Sequence, residues 1–283
     1  MRGQVYKVNT DSYSVKCGEE LHKCKARGIL KLRRNDILVG DFVEIDKGVI
    51  TSVCERKNRF IRPNVSNVDL IVAVVSPEPK PDFLLVDKLL LNANKEGVEF
   101  LIVVNKQDLS TELYNCIVRE YGTLGIQVLT ISAKTGEGID NLKNLLSGRL
   151  TVLAGQSAAG KTSIINSLFN LNQKVGDLSE KISRGKHTTT RSEIFERNGV
   201  RLVDSPGFAV IDAFVSLEEL PDCYDEYFAR SSECKFRGCS HINEPDCKVK
   251  ELVNASVLSK ERYARYVEIY KEISERRNIY EKD

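Results

Sequence analysis

The sequence predicts a multidomain α/β protein. A small β-barrel is expected over residues 1–65, a doubly wound sheet over 66–214 and a helical, metal-binding domain over 215–283. Three observations carry that expectation. Short alternating segments punctuated by glycine fill the first stretch. Near-continuous apolar runs alternate with amphipathic ones in the second, and three cysteines crowd around a histidine in the third.

A chain of 283 residues, 41% hydrophobic and 29% charged, is long enough for several cores and ordinary in its balance. No run approaches the roughly 18–20 apolar residues of a membrane span. The opening MRGQVYKVNTDSY has no apolar core of a secretion signal, so a cytoplasmic protein is expected. A net charge of +2 rules out a polycation, but residues 1–65 hold 14 Lys and Arg against 8 Asp and Glu, a local +6. That asymmetry points to a polyanionic partner for the N-terminal part.

In order along the chain, GQVYKV, YSVKC, ELHKCKA, DFVEI and GVITSV read as strands separated by Gly18, Gly28, Gly40 and Gly48. Five short strands in this length suit a closed barrel of the OB-fold type. Lys31, Arg33 and Arg34 are expected in a loop, and Arg56, Lys57, Arg59 and Arg62 lead out of the barrel. VDLIVAVVS then reads as a strand buried on both faces. Asp82 is placed as the N-cap of the helix FLLVDKLLLNANKE, and Gly97 as its stop. Next come a strand in VEFLIVVN, a helix in TELYNCIVREYG, a strand in IQVLTIS, a helix in GIDNLKNLL and a strand in LTVLAG. Strand and helix alternate, as parallel right-handed crossovers require. A polar loop fills 171–190, and SEIFERNGVRLVD reads as a hairpin turning at Asn198-Gly199. In the tail, Tyr263, Tyr266, Tyr270 and Ile273 keep helical spacing, a stripe expected to pack inward.

Gly155-Gln156-Ser157-Ala158-Ala159-Gly160-Lys161-Thr162 matches G-x-x-x-x-G-K-[ST], follows an apolar strand and opens the helix TSIINSLF, which Ser163 also begins. Glycines let such a loop wrap closely, and its N–H groups with the helix N-terminus cradle phosphate oxygens. Lys161 is placed at the β/γ-phosphates and the Thr162 hydroxyl on Mg²⁺.

Asn105-Lys106-Gln107-Asp108 stands at the end of the strand FLIVV and resembles the N-K-x-D motif of P-loop GTPases. The Asp108 carboxylate can accept from the guanine N1–H and 2-amino group, donors that adenine lacks there. Ser132-Ala133-Lys134 resembles the companion S-A-K element, whose backbone contacts the guanine O6. Asp204-Ser205-Pro206-Gly207 resembles D-x-x-G, with Asp204 on Mg²⁺ through water and the Gly207 N–H facing the γ-phosphate. Between them, Thr188 or Thr189 of GKHTTT is the candidate magnesium ligand of the GTP state, Thr189 being the assigned position. The loop 171–190 would then act as a switch. The base-reading motifs precede the P-loop, so the order is circularly permuted. Nucleotide state could pass from Gly207 into the C-terminal domain.

Cys234, Cys239, His241 and Cys247 supply three thiolates and an imidazole suited to one structural Zn²⁺. Cys17, Cys24, Cys54, Cys116 and Cys223 are scattered and expected to pack as small apolar groups.

A basic barrel, a permuted GTPase and a Cys3His segment together resemble the ribosome small-subunit-dependent GTPases, the RsgA/YjeQ family, over essentially the whole chain. The resemblance implies binding to the 30S subunit and its 16S rRNA, with no role for DNA or a membrane, by a monomer cycling between GTP and GDP with Mg²⁺. It further implies late maturation of that subunit and hydrolysis stimulated by it. Ala158 replaces the family's usual glycine, which is expected to narrow the loop slightly, and D-S-P-G stands for D-T-P-G. Phe208 occupies the place of a water-orienting glutamine, so slow intrinsic hydrolysis is expected. His187 is a candidate water-orienting group, with a non-catalytic loop histidine as the alternative. Arg184 and Lys186 are candidates for neutralising phosphate charge or simply solvated. Two other functions fit parts of the sequence. They are an RNA-binding assembly protein with an idle nucleotide site, and a phosphohydrolase of another ester, for which Asn105–Asp108 has no use.

Overall fold

The computed structural model describes residues 1–28, 37–61, 64–170, 192–204 and 212–280. Lys31, Arg33, Arg34, Arg62, the 171–190 loop with Arg184, Lys186, His187, Thr188 and Thr189, and Ser205 to Phe208 lie outside them. Five strands open the chain: β1 (Arg2–Val8), β2 (Tyr13–Cys17), β3 (Glu20–Ala26), β4 (Phe42–Asp46) and β5 (Val49–Val53). β1–β2, β2–β3, β4–β5 and β1–β4 pair antiparallel, and a short parallel pairing of β3 with β5 closes the ring. Closure removes free edges, and Val5, Val15, Cys24, Val43, Ile45 and Ile50 fill the interior.

A two-stranded ribbon, β6 (Arg59–Phe60) and β7 (Val65–Ser66), follows the barrel. Here fully buried Asp41 accepts from Arg56 at 2.6 Å, from Ser66 Oγ at 2.5 Å and from the Leu38 N–H at 2.8 Å. Arg56, expected from the sequence to belong to the basic exit, is thus committed to an internal ion pair.

The central sheet holds β8 (Leu70–Val75), β9 (Glu99–Val104), β10 (Gln127–Thr130), β11 (Leu150–Ala154), β12 (Glu193–Arg197) and β13 (Val200–Asp204). In space they run β10-β9-β8-β11-β13-β12, all parallel except the antiparallel hairpin β12–β13. Beyond the sequence reading, β12 also meets β1 through Lys7 and Glu193, so barrel and central sheet form one eleven-stranded sheet. Lys7 Nζ donates to Glu193 at 2.5 Å and Lys16 Nζ to Glu196 at 2.7 Å across that seam.

Helices cover both faces: α1 (Phe83–Glu96), α2 (Glu112–Tyr121), α3 (Ile139–Leu146) and α4 (Lys161–Phe169). α1 starts and stops where its caps predict. Asp82 accepts from the Leu85 N–H, and Gly97 takes the left-handed φ of 63°. Its Leu85, Leu89 and Ala93 pack on Ile71, Ala73 and Val152, each large side chain contributing about 1.5–3 kcal/mol. On the opposite face Leu142 and Leu146 of α3 and Ile164 and Leu168 of α4 cover Leu70, Val72 and Leu153.

The C-terminal helices are α5 (Asp225–Ser231), α6 (Lys248–Asn254) and α7 (Lys260–Tyr280). The tyrosine stripe faces inward as expected. Tyr266 and Ile273 are buried, Tyr263 and Tyr270 pack at their edge, and Tyr266 meets Tyr224 and Tyr227 edge-on. Cys223 packs in the same cluster. Among the described residues, no helix is long and apolar enough to cross a membrane.

Candidate nucleotide site and metal cluster

The parallel strands β8, β9, β10, β11 and β13 end on one edge of the sheet, where loops of an open α/β fold gather ligands. The phosphate loop leaves β11 and turns into α4. At Gly155, φ is +138° and an added Cβ would stand 2.2 Å from the Val74 carbonyl oxygen. At Gly160, φ is +96° and the Cβ would stand 2.2 Å from Asn105 Nδ2. Only glycine fits either place. Ala158 is exposed but sits at φ 63°, so its departure from glycine is a matter of backbone strain, about 1 kcal/mol, rather than of a narrowed loop.

Asn105 wires the site together. Buried at the end of β9, its Nδ2 donates to the Ala159 carbonyl at 3.0 Å, while Oδ1 accepts from the Ala133 N–H at 3.1 Å. One carboxamide thus joins the phosphate loop to the Ser132-Ala133-Lys134 turn. The Ala133 amide is therefore engaged by Asn105, a partner that the S-A-K resemblance does not supply. Lys106, at φ 61°, lays its Nζ on the carbonyls of Ala158 at 3.0 Å and Glu78 at 2.6 Å. Asp108 Oδ1 accepts from the buried Ser132 hydroxyl at 2.7 Å, and that bond holds the exposed carboxyl below its ordinary pKa, with Lys134 and Lys106 adding to it. Ser132 Oγ also accepts from the Thr135 N–H, and Ser167 of α4 donates to the Ala133 carbonyl. The result is a carboxylate acceptor at the surface, fixed beside the 132–134 turn.

Lys161 opens α4, and its Nζ donates to the carbonyls of Gly155 at 2.7 Å and Gln156 at 2.8 Å. Burial lowers the pKa of this ammonium. Thr162 and Ser163 follow, half-buried, in the first turn, while Ser157 and Lys134 are exposed at the rim. Asp204 closes β13 beside β11, with its backbone paired to Glu193. Thr189, His187 and Gly207 lie outside the described residues. The side-chain role of Gln156 was not legible from the motif. Its carboxamide binds the Asp82 N–H at 2.7 Å and the Lys80 carbonyl at 2.9 Å.

The predicted zinc ligands converge. The ligand atoms of Cys234, Cys239, His241 and Cys247 all lie within 4.8 Å of one another. His241 directs Nδ1 at Cys247 Sγ, 3.3 Å away, and at Cys234 Sγ, 3.7 Å away. Tyr263 and Tyr266 donate to the carbonyls of His241 and Ser240, seating the loop on α7. Burial pushes the Cys239 thiol up to about 12, so a thiolate there needs a cation beside it. Three sulfurs and one nitrogen at this spacing fit a tetrahedral zinc ion.

The RsgA N-terminal domain model matches residues 2–50, and the RsgA GTPase model matches 53–214. "Small ribosomal subunit biogenesis GTPase RsgA" of Agathobacter rectalis is 41% identical over 271 residues, covering 92% of this chain and 90% of the relative. The protein of the same name from Clostridium botulinum is 39% identical, over 97% of this chain and 98% of its own. Among solved structures, YjeQ from Thermotoga maritima superposes with a TM-score of 0.80 at 34% identity, covering 96% of this chain and 98% of that one. YloQ, "a circularly permuted GTPase", gives 0.78 at 30%, with 97% and 95% covered. A barrel at the N-terminus, a guanine reader ahead of its phosphate loop and these matches along nearly the full length agree: the chain belongs to the RsgA family of circularly permuted GTPases.

Proposed function

We propose that this GTPase is a GTP-binding switch that docks on the small ribosomal subunit through its 16S rRNA and assists late maturation, hydrolysing GTP to GDP and phosphate. The observation that carries the reading is the Asn105 bridge, which holds guanine reader and phosphate loop in one rigid frame. Asp108 selects guanine, Lys106 and the 132–134 turn support the base, and the 155–163 loop holds the phosphates. Lys161 neutralises the β/γ-phosphates. Mg²⁺, which in such sites screens charge between the β- and γ-phosphates, would be held by Thr162, Thr189 and Asp204. Gly207 would register the γ-phosphate.

Phe208 cannot polarise water, so turnover by the protein alone is slow. His187 is the proposed water-orienting group in the complex with the stimulating partner. Zinc on Cys234, Cys239, His241 and Cys247 serves folding, since a set of four protein ligands leaves no open position for chemistry. Barrel and C-terminal domain together supply the rRNA contacts. The protein acts as a cytoplasmic monomer. The domain limits that accompany this reading are 1–65, 66–214 and 215–283.

The decisive experiment is GTP hydrolysis by the purified protein with and without 30S subunits, with ATP as control. Stimulation confined to GTP supports the reading. Tight GTP binding without stimulation would overturn the ribosomal part and leave the guanine site standing.

A further inference from the structure

Phosphate loops recognise their ligand mainly with backbone N–H groups, and the side chain after the first glycine has no prescribed task. In this protein that side chain, Gln156, is fully employed. Its Oε1 accepts from the Asp82 N–H at 2.7 Å, and its Nε2 donates to the Lys80 carbonyl at 2.9 Å and the Pro79 carbonyl at 3.3 Å. Lys106 grips the same turn through the Glu78 carbonyl. Residues 78–82 are therefore held by two side chains of the nucleotide site, and Asp82 is the N-cap of α1.

Along its length α1 then grips the C-terminal domain. Asp87 is fully buried, binds Arg262 and Arg265 of α7 and accepts from Tyr121 OH at 2.8 Å. Lys88 pairs with Glu272 at 2.7 Å. Asn92 accepts from the Phe214 N–H and donates to the Asp212 carbonyl, both at 3.0 Å. Asn94 donates to the Cys223 carbonyl at 3.0 Å, just before α5. Separating α1 from α7 would leave the buried Asp87 carboxylate with Tyr121 alone and would cost Arg262 and Arg265 one carboxylate each, Glu226 and Glu120 remaining, so the two helices are strongly coupled.

We propose that Gln156 is a positioning residue that carries occupancy of the phosphate loop, through α1, to the C-terminal domain. Lys161 donates to the carbonyls of Gly155 and Gln156, and a bound phosphate competes for that same ammonium. The backbone that bears the Gln156 side chain therefore responds to ligand. The carboxamide passes that response to residues 79–82, and the helix passes it to its ionic partners. This route is separate from the D-x-x-G segment. It rests on the reading of 155–162 as the phosphate loop.

The test is hydrogen–deuterium exchange on the full zinc-loaded chain with and without Mg-GDP. In the wild-type protein GDP should slow exchange at 155–163 and also at 83–96 and 225–231. In Gln156→Ala saturated with GDP the first effect should persist, while the slowing at the two helices falls about threefold to tenfold. Gln156→Glu, which keeps the acceptor for Asp82 and loses the donor, should lie between. Asn92→Ala touches no nucleotide-site residue. It should keep the effect at 83–96 and lose the slowing that GDP also produces in the wild-type protein at 212–217, the segment Asn92 holds. Unchanged helix protection in both Gln156 variants would overturn the proposal, as would a wild-type protein whose helices ignore GDP. No GDP effect at 155–163 in the wild-type protein would instead refute the nucleotide reading itself.

Discussion

The guanine site and the metal cluster are both built around a few polar side chains, yet they are organised in opposite ways. Asn105, Ala133 and Ala159 arrive from three strand ends, and every described side-chain bond among them is already satisfied within the protein. The sheet holds that site in shape. Cys234, Cys239, His241 and Cys247 lie within fourteen residues of one another, and their ligand atoms face mainly each other. There the proposed zinc ion would supply the order. A site framed by long-range strands is prepared before its ligand arrives, whereas a local knuckle is completed by it.

The largest effect that would sharpen this contrast is metal removal. A strong chelator, or Cys247→Ser, should unfold the 225–254 region, since structural zinc in small folds is worth about 10–16 kcal/mol of apparent binding free energy. Circular dichroism and exchange protection would record the loss. Protection of β8, β9 and β11 should survive, and their collapse alongside the knuckle would break the distinction. Next comes the base reader. Asp108→Asn should cost GTP roughly 10³-fold or more in affinity and shift preference toward xanthine nucleotides, because the carboxamide offers a donor where guanine presents one. Retained GTP selectivity in nucleotide titrations would remove Asp108 from its assigned role.

Asn105→Ala leaves the buried Ala159 carbonyl and the half-buried Ala133 amide without their partner at about 1–3 kcal/mol each, so GDP affinity should fall roughly 30- to 20,000-fold. Titration calorimetry reads this directly, and a loss below threefold would mean that the frame does not depend on the bridge. The smallest expected change is a gain. Ala158→Gly releases the left-handed strain at φ 63° and should add about 1 kcal/mol to stability or nucleotide affinity. A neutral or negative result would show that the alanine stiffens the loop usefully.

Local signals were legible in the sequence and distant pairings were not. Asp82 and Gly97 mark the two ends of α1, Asn198-Gly199 marks its hairpin, and the loop glycines mark the phosphate site. Asp87 stands inside FLLVDKLLL, an odd place for a charge, but its partners Arg262 and Arg265 lie 175 and 178 residues away. Asp41 and Arg56 hide in the same fashion. The β1–β12 seam was equally unreadable, because a short strand edge carries no mark of what it will pair with. The motif placed Gln156 in the loop, but it could not say that a side chain in a backbone-driven site would anchor a helix.

The strand order β11-β13-β12-β1 also bears on how the chain comes into being. On a ribosome β1 emerges first and β11 about 150 residues later, and the C-terminal part of β1 and the outer edge of β11 then wait for the hairpin that joins them. Residues 193–204 arrive last of the eleven-strand sheet and slide in as a keystone, paired to the barrel on one side and to the central sheet on the other. Until that moment the nascent protein carries unpaired strand edges at the seam, the condition in which strands find wrong partners. Speed of closure by one hairpin thus governs how long each newly made molecule stays vulnerable.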